Sequence, residues 1–117
     1  MKNTISTPTN PTTHFTVTKS TINNHNALNP SILYEEMQKF AAKIIAKNTQ
    51  FVDTPAKLYK LKILNNAFLN DTLLFVAKII KFNDIELQLA MTINIENAND
   101  TGLICKAIFK FDLKITS

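Results

Sequence analysis

From Ile85 to Asn97 the chain alternates. Ile85, Leu87, Leu89, Met91, Ile93 and Ile95 fall in one phase, and Glu86, Gln88, Thr92, Asn94 and Glu96 in the other. Successive side chains of a β-strand point to opposite faces, so a period of two this long demands a sheet with one buried face and one wet face. The last run repeats the pattern, with Cys105, Ala107, Phe109, Phe111 and Leu113 set against Lys106, Lys110, Asp112 and Lys114. Three more stretches read as strands. Leu73 to Phe82 is a long, largely apolar run, Lys57 to Leu64 sets Tyr59, Leu61 and Ile63 in one phase, and His14 to Lys19 sets Phe15 and Val17 against Thr16 and Thr18. Asn83-Asp84 makes a tight hairpin and Ala98 to Gly102 a longer one. Gly102 is the only glycine, so Asn70, Asn83 and Asn99 are expected to take the positive-φ positions, which Asn tolerates best after Gly.

A single stretch breaks the period. Leu33, Met37, Phe40, Ala41, Ile44 and Ile45 recur at helical spacing and form one apolar stripe, with Tyr34 at its flank. Asn29 is a good N-cap, and Pro30 suits the first helical position because its missing N–H has no intrahelical partner to lose. Glu35 and Glu36 near the start suit the macrodipole, as Lys43 and Lys47 suit the end. The order is therefore strand, long helix, then four antiparallel strands. An α+β domain follows, a long central helix wrapped by a curved antiparallel sheet of about five strands, with the hot-dog fold the commonest such arrangement and a cystatin-like one the alternative. Residues 1–12 read as a flexible leader of Thr, Asn and Pro, and residues 13–117 as one domain.

Composition narrows the function classes. The net charge is +4 and the pI about 9.3, yet all thirteen basic residues are Lys. Arg supplies the bidentate fork that guanine edges and phosphates favour, so its absence argues against nucleic acid as a partner. No apolar run approaches the roughly 20 residues of a membrane span, and the N-terminus lacks the apolar core of a signal peptide. The lone Cys105 cannot form an internal disulfide and fits a reducing cytoplasm, as a small core hydrophobe. His14 and His25 stand far apart with no clustered Cys or carboxylate, so no metal and no cofactor are expected.

The stretch Leu64 to Phe111, LNNAFLNDTLLFVAKIIKFNDIELQLAMTINIENANDTGLICKAIFKF, resembles the hot-dog acyl-thioesterase superfamily. There a strand leads into a turn ending in Gly-Asp-x-Leu and then three long strands. Asn70 stands for the Gly, and Asp71 and Leu73 match. Aligned on the helix start, Asn23 falls where many members carry a loop Asp, Asn26 where they carry Gly, and Asn29-Pro30 at a small polar pair. Gln38 falls at the acidic position that another subfamily carries in the helix. Both expected carboxylates are thus amides, which can orient a carbonyl or a water but cannot take a proton. A second register resembles the hot-dog 3-hydroxyacyl-carrier-protein dehydratases. Their helix opens with Pro-Gly and carries a Glu six residues after the Pro, a spacing that Pro30-Ser31 and Glu36 reproduce, with Ala41-Ala42 matching the alanines beyond. The dehydratase His-Phe-Pro-Gly signature is missing, and His25 lies five residues before Pro30.

The resemblance implies a thioester site at the N-terminus of the helix, at a dimer interface. Asn29, Ser31 and Ile32 would offer backbone donors to a developing oxyanion. Glu36, at the border of the stripe, is the best candidate acid or base, His25 is the second, and Asn23 and Gln38 can position water or thioester. It further implies an acyl-CoA or acyl-carrier-protein thioester as partner, a place in fatty acid metabolism, and a homodimer or homotetramer. The expected activities are thioester hydrolysis, dehydration as the alternative, or non-catalytic binding in view of the two amides.

Overall fold

The computed structural model describes residues 10–48, 56–96 and 102–112. Almost all of the expected leader, the helix-to-sheet connection at 49–55, Asn99 and Leu113 lie outside the described residues. The elements are β1 (Thr12–Thr16), α1 (Pro30–Asn48), β2 (Lys57–Ile63), β3 (Thr72–Phe82), β4 (Glu86–Ile95) and β5 (Leu103–Asp112). They form one antiparallel sheet in the order β1-β3-β4-β5-β2. One helix packs against this five-stranded open sheet, the arrangement of the hot-dog fold. The connection through α1 carries the chain from one edge strand to the other, and β3 returns beside β1.

The helix begins at Pro30, as its capping residues predict. All six residues of the predicted stripe are buried, and they share a core with Val17, Leu73, Phe75, Leu89, Met91, Ile93, Cys105, Phe109 and Phe111. The Phe40 ring meets Phe75 edge to face at 6.2 Å between centroids, which fixes one side of α1 on β3. Neither glutamate falls in the first turn and only Lys47 falls in the last, so the dipole complement is thinner than expected. Among the described residues no polar or charged residue is buried, and no helix is long and apolar enough to cross a membrane.

Register corrects three expectations. Ile85 shares its phase with Leu87 but is 70% exposed, because the ladder begins only at Glu86 and Ile85 stands in the hairpin. Tyr59 does not share a face with Leu61 and Ile63. A bulge between Leu58 and Lys60 shifts the pairing, so Leu58 lies opposite Phe109, and Leu61 and Ile63 lie opposite Ala107 and Cys105. Tyr59 turns instead toward Lys110, whose Nζ sits 4.5 Å from the ring centroid. β1 starts two residues earlier than the pattern suggests and ends before Val17, although Val17 is fully buried and exchanges backbone hydrogen bonds with Asn70 and Asp71. Positive φ occurs at Asn26 (62°) and Asn70 (77°), whereas Asn83 does without it and uses Oδ1 to accept from the Ile85 and Glu86 N–H groups.

Cys105 is fully buried on β5, and desolvation pushes its thiol from 9.0 up to about 11. The raised value means folding is undiminished by this group below pH 9 and loses its contribution as pH rises toward 11. An aromatic disulfide reagent at pH 8 is expected to leave Cys105 unreacted in native protein and to titrate it fully in urea. Rapid native labelling would place the thiol at the surface.

Candidate functional site

The start of α1 is built by three segments. After β1 the chain makes a 3-10 turn at Lys19–Thr21, then a loop in which Ile22 bridges Leu28 and Ala27 bridges Phe68. Leu28 N–H donates to the Ala67 carbonyl at 2.8 Å, Leu69 N–H to the Asn26 carbonyl at 3.0 Å, and Asn29 N–H to the Thr21 carbonyl at 2.8 Å. The β2–β3 turn therefore holds the helix entrance. Asp71, which matches the family turn, accepts the Phe68 N–H on its carboxylate at 2.8 Å and the turn closes by Asp71 N–H to the Phe68 carbonyl at 2.9 Å. Its role here is to shape the turn.

Asn23 is likewise a loop builder. Its Oδ1 accepts from the N–H groups of His25 (2.9 Å) and Ala27 (3.2 Å), and its own N–H donates to the Ala27 carbonyl at 2.8 Å. His25 rides on this turn, exposed. The amide at the position of the family's loop acid thus satisfies backbone donors in the loop.

At the helix start the donors are already engaged. Asn29 Oδ1 accepts from the Ser31 N–H at 3.1 Å and the Ser31 hydroxyl at 3.0 Å. The Asn29 carbonyl accepts from Ile32 N–H at 3.0 Å and Leu33 N–H at 3.1 Å. Pro30 has no N–H to offer. An anion at this end would need the Asn29 side chain to swing away, which frees the Ser31 N–H alone. Asn29→Ala is expected to cost about 1 kcal/mol by urea titration and Asn29→Gly only a few tenths. Equal losses would show that the side chain is not acting as the cap.

Glu36 lies six residues beyond Pro30, about 9 Å along the axis at 1.5 Å per residue. Its side chain is 27% exposed and its Oε2 pairs with Lys39 Nζ at 3.1 Å. It lines a small cleft of about 70 Å³ with Thr13, Phe15, Phe40 and Phe75, room for a water or a small group and not an acyl chain. Gln38 is half-buried two positions on. At 100° per residue it lies roughly 200° around the helix from Glu36, so the two flank opposite borders of the stripe and cannot serve one centre in one protomer. His14, which the sequence does not mark as a site residue, lines the Glu36 cleft, and its Nε2 lies 2.9 Å from Glu96 Oε2. Pairing of β1 with β3 brings it there, and nothing in the local sequence signals that. Among the described residues no group of three or more His, Cys, Asp and Glu gathers at metal-binding distance.

No protein-family model matches the chain, and no curated protein matches it in sequence. Solved structures do match in fold. An acyl-CoA hydrolase from Staphylococcus aureus, in complex with butyryl-CoA, superposes with a TM-score of 0.73 at 14% identity, over 90% of this chain and 65% of that one. This chain therefore spans under two thirds of that enzyme's length. A hypothetical thioesterase from Streptococcus pneumoniae with coenzyme A gives 0.71 at 12% identity, over 88% and 77%. Zebra fish thioesterase superfamily member 2 gives 0.74 at 13%, over 93% and 78%. With one helix on a β1-β3-β4-β5-β2 sheet and these neighbours, the chain has the hot-dog fold, the fold of the thioesterases it superposes on.

Proposed function

We propose that this hot-dog protein binds acyl-CoA thioesters and hydrolyses them, with Glu36 as the general base that activates water. The observation that carries the reading is Glu36 itself. Of the candidate residues it is the one carboxylate, and it is drawn partly out of solvent at the border of the stripe, beside a cleft that admits water. The neighbouring structures that hold coenzyme A and butyryl-CoA support CoA over a carrier protein as the thiol part.

The working unit is a dimer. β1 covers only the first half of β3, from Thr72 to Val76, with one further bond from Ala77 N–H to the Pro11 carbonyl. Beyond it, among the described residues, no strand pairs with the outer side of Lys78 to Phe82, and Ile79, Ile80 and Phe82 are 39%, 46% and 54% exposed. An apolar unpaired edge is a liability that a second copy removes, and pairing there brings a partner's residues toward the α1 flank where Glu36 lies.

A second reading, an acyl-thioester binder without turnover, is favoured by the engaged cap at Asn29 and by Asn23 serving its own loop. Thiol release from a panel of acyl-CoAs separates the two. Release that tracks Glu36 supports hydrolysis, whereas saturable binding without release at any chain length supports the binder.

A further inference from the structure

The face of the sheet turned away from α1 carries an uneven charge pattern. Three of the seven lysines on its strands are neutralised there. Lys57 Nζ meets Asp112 at 2.7 Å, and Lys81 and Lys110 share Glu86 at 2.9 and 3.5 Å. Both carboxyls are held below their usual value, Glu86 chiefly by its hydrogen bond to Lys81 and Asp112 by that to Lys57. Among the described residues Lys60, Lys62, Lys78 and Lys106 form no ion pair with a carboxylate, and of these only Lys62 and Lys106 face each other, as direct cross-strand partners on β2 and β5. Like charges placed opposite each other on one face destabilise a sheet, so this pair opposes folding unless something negative lies over it.

Something can. Lys60, Lys62 and Lys106 border an open groove of about 610 Å³ whose floor is Ala90, Thr92 and Ile108. That volume falls in the range of small-molecule sites, and an apolar floor with one hydroxyl suits a flat heterocycle. Lys binds phosphate oxygens as a point charge and needs no Arg fork, which fits a chain without arginine. We infer that this groove binds a nucleoside di- or triphosphate, its phosphates over Lys62 and Lys106, at a site on the opposite sheet face from Glu36 and independent of the hydrolytic reading.

The test is calorimetric titration with ADP at low salt against wild type, Lys62→Ala, Lys106→Ala and, as a control away from the groove, Lys19→Ala. Expected are saturable binding by wild type and the control, at least tenfold weaker binding by each groove variant, weakening with added salt, and no binding of adenosine. Relief of the like-charge pair is also expected to raise the ligand-free melting temperature of either groove variant by roughly 1–5 °C, a gain a merely misfolded variant cannot show. Several results would overturn the proposal: no ADP binding by wild type, binding indifferent to Lys62 and Lys106, binding of CoA or of an RNA oligomer that ADP fails to displace, or burial of the groove between two copies in solution. Thiol release from acyl-CoAs, unchanged in the groove variants, keeps the outcome separate from that of the Glu36 reading.

Discussion

Phe75→Ala is expected to lower the unfolding free energy by about 3–5 kcal/mol. Phe75 is fully buried on β3, and it meets Phe40 of α1 edge to face, so its removal leaves a void where helix and sheet join. A domain of this size has about 5–15 kcal/mol in all, and the variant is expected to be partly unfolded at 37 °C. Urea denaturation followed by far-UV circular dichroism measures it. Phe40→Ala and the double variant complete a cycle, and a coupling of about 0.5–1.5 kcal/mol is expected for the ring pair beyond its burial. A loss under about 1 kcal/mol for Phe75→Ala would mean that α1 does not rest on β3 as described.

Glu36→Gln is expected to reduce kcat for acyl-CoA hydrolysis by about 10²–10⁴ with little change in KM, equivalent to about 3–5 kcal/mol of transition-state stabilisation. Glutamine keeps the size of the side chain and can still accept a hydrogen bond, but it cannot take a proton from water. The ion pair to Lys39 is a half-exposed i, i+3 contact, so its loss costs little stability and the variant is expected to fold. Thiol release read with a chromogenic thiol reagent gives kcat and KM together. A change in KM alone would assign Glu36 to binding, and unaltered turnover would remove it from the mechanism.

How much of this could be seen in the chain beforehand differs by element. The stripe Leu33 to Ile45 and the buried phase Leu87, Leu89, Met91 and Ile93 were legible because their periods, 3.6 and 2, are local and long enough to be unambiguous. The helix start was legible because Asn29 and Pro30 are chemically specialised for it. Tyr59 was misplaced because a bulge resets the pleat, and a bulge leaves no mark in an alternating pattern. Among site residues, the sequence named Glu36 and Asn29 but read the helix start as open, when the Asn29 side chain that makes a good cap also occupies the donor a ligand would use.

Local patterning by itself determined that there would be one helix with one greasy side and a sheet to receive it, since each segment's periodicity answers only to its own neighbours. Which strands lie side by side was decided by the tertiary structure alone. Non-local pairing set Lys62 against Lys106, carried His14 to Glu96 across 82 positions of chain, and, among the described residues, left the outer side of β3 from Lys78 to Phe82 without a neighbouring strand. The physical reason is that side-chain period is a property of one strand, whereas charge neighbours and open edges are properties of two, fixed only once the backbone ladders have chosen their register.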